Sequence, residues 1–103
     1  MILEHAVIDV VPGQEAAFEA AVAQAGPLFA AHAGFLDARL ERCVEQSASY
    51  LLLVRWRSLE DHTVVFRGSP EFRAWRALVG PYFAAPPVVL HYATAATLSG
   101  DPR

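Results

Sequence analysis

The chain contains no lysine and a single cysteine, Cys43, and only 18% of its 103 residues are charged. Each shortage excludes something. One cysteine cannot close an internal disulfide, so the fold must hold without one, and a reducing, cytoplasmic setting is expected. A reactive thiolate needs a neighbour that lowers its pKa. None stands clearly beside Cys43 in the sequence, and it reads as a small strand residue. All eight basic residues are arginines, scattered among eleven acids for a net charge of −3. That scattering leaves no basic stripe for a phosphate backbone, so no nucleic-acid partner is expected.

Long apolar runs are missing too. A spanning helix needs about 18 or more nearly uncharged residues. The Ala-rich run from Ala16 to Leu36 is broken by Glu19, Gln24 and Gly26-Pro27. No basic stretch leads into an apolar core at the start, so neither a secretory leader nor a membrane partner is expected. There is no Gly-rich phosphate loop and no nucleophile elbow. The four histidines stand apart, with no HxH, HxxxH or HxxE pair, and no metal site is expected. Against these absences stands an excess: 54% of residues are hydrophobic and the mean hydropathy is +0.28. That is apolar for a small domain, which has much surface to cover. Burial against a second copy of the chain is the simplest outlet.

The length suits one domain, expected over residues 1–98, with a frayed tail at 99–103. "ILEHAVIDVV", Ile2 to Val11, is β-branched and reads as a strand ended by Pro12-Gly13. From Gln14 the period changes to three and four through Phe18, Val22, Ala25, Phe29 and His32, an amphipathic helix. Pro27 predicts a kink near Ala25 to Leu28. Gly34 predicts the helix end. Phe35 to Val44 alternates as a second strand, with Leu36, Ala38, Leu40 and Val44 on one side. Tyr50 to Trp56 is nearly all apolar, a strand expected to be buried on both faces. Ser58, with Asp61 three residues on, predicts a capped helix to about Arg67. Ser69-Pro70-Glu71 predicts a restart, with Phe72, Trp75 and Val79 as its buried stripe. Val88 to Thr97 is the last strand.

The order β-α-β-β-α-β predicts an α+β, ferredoxin-like split fold with an antiparallel four-stranded sheet. Helices cover one face. The other face is expected to carry the odd-numbered strand residues: Leu3, Val7, Val11, Leu51, Leu53, Val89 and Ala93, with His5, Asp9, Arg55, Arg57 and His91. A face so apolar is expected to pair two protomers into a homodimer, commonly burying over about 2,000 Å².

Three segments resemble one known family. They are "LEHAVIDVVPGQEAAFEAAV", "HAGFLDARLERC" and "YLLLVRWRSLEDHTVVFRGSPEFRAWRALVGPYF". Together they are similar to the antibiotic biosynthesis monooxygenase (ABM) superfamily over about Ile2 to Tyr92. The resemblance implies a dimeric α+β barrel. It implies, for some members, oxidation of phenols or anthrones by O₂ with neither metal nor flavin, so no cofactor is expected. It implies a site around the Trp of the third strand, here Trp56. His62 takes the place of a pocket tyrosine six residues on. Leu52 departs from a pocket asparagine, and Arg76 lies near the place of a pocket arginine. Haem-degrading members need other groups where this chain has Ala6, Val65 and Trp75.

In this frame His62 is the candidate catalytic base, since an imidazole can take a proton near neutral pH. Trp56, Trp75, Tyr82 and Phe83 are candidate walls for a flat guest, Phe66 shares the His62 face of its helix as a further candidate binding residue, and Arg67 or Arg76 is a candidate partner for its anion. The bland alternatives are a packed core histidine, core tryptophans and a surface arginine. His5 and His91 are expected in the interface, and His32 as a helix cap. At the level of function, an oxygenase acting on a small aromatic or phenolic molecule stands beside a non-catalytic dimeric ligand-binding module and a purely structural dimer.

Overall fold

The computed structural model describes residues 1–101; Pro102 and Arg103, part of the expected tail, lie outside the described residues. Four strands, β1 (Ile2–Asp9), β2 (Phe35–Arg42), β3 (Ser49–Trp56) and β4 (Val88–Tyr92), form one sheet in the order β2-β3-β1-β4. Every pairing is antiparallel. Helices α1 (Glu15–Gln24), α2 (Gly26–Ala30) and α3 (Pro70–Val79) and a π-helical segment, Asp61–Phe66, supply the second layer. This is the α+β, ferredoxin-like arrangement that the order of elements predicts.

The helix break falls where Pro27 requires it. α1 ends at Gln24, and α2 starts at Gly26 with the proline in its first turn, where a missing N–H does no harm. Phe18, Ala21, Ala25 and Phe29 are buried along this pair. Ser69 caps α3 by accepting the Phe72 N–H at 3.2 Å, and Trp75 and Val79 are the buried members of its stripe. Phe72 is only half-buried against the core.

Alternation in the central strands sorts the sheet into two faces. Ala6, Ile8, Tyr50, Leu52, Val54 and Trp56 point to the helices and are buried. Leu3, His5, Val7, Leu51 and Leu53 point the other way and stay half-exposed. β3 is therefore not buried on both faces within one protomer.

Some expectations need correcting. β4 stops at Tyr92, well short of Thr97, and its faces are reversed. His91 pairs with Glu4 and Val89 with Ala6, so both lie on the helix side. Val88, Leu90 and Tyr92 take the outer face instead, and Ala93 lies beyond the strand. β2 ends at Arg42, and a register shift between Phe35 and Asp37 takes Leu36 out of the alternation. Val44 lies past the strand and is exposed. Gly34 is not a left-handed helix cap, since among the described residues only Gly13 has a positive φ. It is needed for room: a Cβ there would stand 2.3 Å from Asp61 Cγ.

Candidate active site

The segment after β3 is built locally. Ser58 Oγ accepts the Asp61 N–H at 3.2 Å and donates to the Asp61 carboxylate at 2.8 Å, a capping box with Asp in the acid's place. Arg57 holds the same carboxylate through two 3.1 Å contacts. The Arg57 and Ser58 hydrogen bonds keep the Asp61 carboxyl below its usual range. From this anchored start the chain winds wider than an α-helix, and the Arg67 N–H reaches back five residues to the His62 carbonyl at 3.0 Å. Such π-helical turns occur frequently at functional sites.

The turn places His62 and Phe66 on the inner side, only 2% and 1% exposed. The His62 ring stacks on Trp56, centroids 5.1 Å apart and planes within 15°. Trp56 in turn donates its indole N–H to Glu4 Oε1 at 2.9 Å. His62 Nε2 faces the same oxygen at 3.3 Å. The other ring nitrogen, Nδ1, is 2.7 Å from His91 Nε2. Glu4, His62 and His91 thus form a line across the helix side of β1 and β4, with the Trp56 indole beneath. They do not converge on a common point, and among the described residues no three His, Cys, Asp or Glu side chains are placed to hold a metal ion.

Burial dominates the electrostatics, because it disfavours charge. It raises the Glu4 pKa, the indole hydrogen bond and Arg67 pulling the other way. Burial, then Arg67, then His91 lower the His62 pKa to about 3. Burial and Arg67 lower that of His91 as well. Both imidazoles are therefore neutral near pH 7.

A cavity of about 520 Å³ opens beside this line, with Glu4, His62, Arg67, Trp75 and Arg76 in its lining. Ala6, Ile8, Leu52, Phe72, Phe83 and Val89 supply most of the apolar wall. A second, smaller cavity of about 210 Å³ shares Leu52 and Trp75 with the first. Among the described residues, Arg67 and Arg76 have no carboxylate partner within ion-pair distance, and Arg76 lies 5.9 Å over the Phe72 ring.

Of the residues singled out from the sequence, His62, Arg67, Trp75, Arg76 and Phe83 come together at the cavity. Trp56 and Phe66 sit one layer behind, packed on His62 and Phe29. Tyr82 stands apart, its ring 6.4 Å from Phe18, while its neighbour Phe83, expected as a wall with it, does line the cavity. His32 does more than end a helix: its Nε2 lies 2.8 Å from Glu71 Oε1, tying the end of α2 to the first turn of α3. Sequence reasoning missed Glu4 altogether and assigned His91 to the wrong face. The signal for Glu4 was present, an acid in phase with Ala6 and Ile8 on the buried side of a strand.

The four-stranded antiparallel sheet with a cavity on its helix side is a ferredoxin-like module. The model of the antibiotic biosynthesis monooxygenase family matches residues 1–78, and the chain belongs to that family. A Bordetella bronchiseptica protein provisionally described as an antibiotic biosynthesis monooxygenase is 46% identical, with 92% of this chain and 97% of that one covered and a TM-score of 0.90. YczJ of Bacillus subtilis, an uncharacterised protein, is 40% identical over 92 residues, covering 89% of this chain and 97% of its own. SnoaB, a cofactor-independent oxygenase from Streptomyces nogalater seen in a mutant form, shares the fold at 19% identity, with 96% of this chain and 97% of that one covered and a TM-score of 0.81.

Proposed function

We propose that this protein is a monooxygenase-like enzyme, a homodimer that uses O₂ to oxidise a small aromatic substrate of the quinol or anthrone class. The observation that carries this is the cavity itself: its walls are largely apolar, a buried carboxylate and imidazole stand among them, and two guanidinium groups beside them have no carboxylate partner among the described residues. Family membership and the fold shared with SnoaB support the class of reaction and its independence of a cofactor. In outline, the buried pair takes a proton from an acidic O–H or C–H. The substrate anion passes one electron to O₂, and the radical and superoxide join to form a C–O bond. The resulting peroxide takes the proton back and loses water, leaving a carbonyl. Arg67 and Arg76, which line the cavity and stay exposed, offer the anion their guanidinium N–H groups. His62 and its partners manage the proton, and Trp75 walls the ring. Trp56 and Phe66 act from behind by fixing His62.

The homodimer accounts for the outer sheet face. Leu3, Val7, Leu51, Leu53, Leu90 and Tyr92 lie there, and Leu90 remains 55% exposed in one protomer. Contiguous apolar surface of this kind marks interaction sites.

One observation favours a second reading. A histidine whose pKa is lowered to about 3 is a weak base by itself. A binding module would use the same neutral, apolar chamber without turnover. The two are separated by O₂-electrode measurements with dithranol and substituted hydroquinones. The oxygenase reading expects O₂ uptake matched by quinone absorbance. Thermal stabilisation by the same compounds, with uptake no faster than in buffer, would establish the binding module instead.

A further inference from the structure

We infer that His62 and His91 form a two-imidazole relay, in which His62 meets the substrate proton at the cavity and His91 carries the resulting charge at the rim of the sheet. The inference deepens the oxygenase reading and rests on it for its consequence. The two rings are joined by a hydrogen bond between His62 Nδ1 and His91 Nε2, 2.7 Å long. His62 Nε2 is the free end. Glu4 Oε1 comes within 3.3 Å of it without making a hydrogen bond, and among the described residues no buried side-chain nitrogen lacks such a bond. Nε2 is therefore open to the space around it, and the space that His62 lines is the cavity. His91 has the opposite placing. It is not part of the cavity wall, and it lies half-exposed on β4, an edge strand. One hydrogen bond thus leads from an imidazole only 2% exposed to one that reaches solvent.

Two neutral imidazoles carry one N–H each, so a single hydrogen lies between the rings and either ring can hold it. With that hydrogen on His62 Nδ1, Nε2 is a bare acceptor; with it on His91 Nε2, His62 Nε2 is an N–H donor. The relay is the passage from the first arrangement to the second. The substrate O–H or C–H bond breaks and its electron pair stays on the substrate. The proton forms an N–H bond at His62 Nε2, the Nδ1 hydrogen crosses to His91 Nε2, and His91, keeping its own Nδ1–H, becomes the cation. His62 is neutral before and after. When the peroxide forms, both hydrogens move back and the peroxide oxygen gains the proton, so the pair ends as it began. Burial gives this division its use, because it penalises a charge on His62 more than one on half-exposed His91. A histidine with a pKa lowered to about 3 is a poor base alone, but in the relay it never has to hold the charge. The charged or titratable groups facing the pair are Glu4 on β1 and Arg67 after the π-helical segment. Arg67 works against a cation on either ring, which leaves exposure as the difference between them.

The test uses the intact protein and has two arms. In nitrogen NMR of ¹⁵N-histidine-labelled wild type, lowering the pH should make His91 doubly protonated before His62. His62 charging first would overturn the relay. The second arm follows dithranol oxidation by O₂ uptake. His91→Gln keeps a group that can hydrogen-bond His62 Nδ1 but cannot pass a proton on. It should lower kcat about 100-fold with KM within about threefold. His91→Ala should lose as much, and added imidazole should restore part of its turnover at that half-exposed position while leaving His91→Gln unchanged. Wild-type kcat in His91→Gln would mean that His91 only orients His62, and the relay would fall. Absence of O₂ uptake in the wild-type protein would sink the oxygenase reading, while the order in which the two rings charge still decides the pair.

Discussion

The two faces of the sheet carry opposite solutions to the same problem. The helix side is almost wholly apolar, yet it buries Glu4 and His62 in its middle. The outer side is open in one protomer, yet it presents leucine and valine. Ordinary folding physics would exchange them, since an unpaired buried ion is among the least favourable features a core can hold. The exchange is tolerable on the helix side because the polar atoms are threaded together and backed by aromatic rings. Among the described residues, no buried side-chain nitrogen or oxygen is without a partner. On the outer side it is tolerable only if something covers the face. On the function proposed above, the contrast separates a polar group kept for chemistry from an apolar group kept for association.

The largest effect should come from removing the ring beneath the polar line. Trp56 is fully buried, and Trp56→Ala takes away the His62 stack, much of the aromatic core and the indole donor to Glu4 together. A loss of roughly 3–5 kcal/mol is expected from the cavity alone, measured by urea unfolding. A loss below about 1 kcal/mol would mean that the line stands without its backing.

An intermediate effect is expected from pH. A His62 pKa lowered to about 3 means that below 6.5 the unfolded chain takes up a proton that the folded one refuses. This group therefore makes stability fall as pH drops from 6.5 towards 3, by about 1.4 kcal/mol per pH unit. Glu4 acts in the opposite sense. Its raised pKa means that the folded state holds its proton longer, so this group erodes stability as pH rises above 4.5. The two oppose each other just above 4.5, and below it His62 acts without that opposition. Glu4 is common to both proteins, so the difference between wild type and His62→Gln isolates the imidazole and should change most between about pH 4 and 5.5, midway between 6.5 and about 3. A constant difference across that range would contradict the neutral imidazole.

The smallest effect on protomer stability, within about 1 kcal/mol, should come from Leu53→Asp on the outer face, where the side chain is only half-buried. Its effect on association should be large: sedimentation should show the wild type as a dimer at micromolar concentration and the variant as a monomer. A monomeric wild type would leave the apolar outer face unexplained.

Much of this was legible in the sequence. Strand and helix periods, Pro27 and the Ser69-Pro70 restart placed most elements, because each has a local cause. The phase of β4 was not legible. "VVLHY" is apolar on both parities, and it follows the irregular "AAPP", so nothing in its own pattern says which side faces the helices. Pairing with β1 decides it, and that places His91 beside Glu4. His62 could be found because a capped turn after a Trp-ended strand is a local signal. Its partners could not, because they belong to strands far along the chain.

Gly34 stands at the mouth of β2, where its missing side chain lets the Asp61 carboxylate come close. Its carbonyl also takes the Arg57 N–H at 2.8 Å, joining that corner to the end of β3. A methyl group there would force the first turn of the π segment outward, and the imidazole would lift away from its indole seat. The seat of His62 on Trp56 is thus set by the lack of a side chain at a residue that belongs to neither ring.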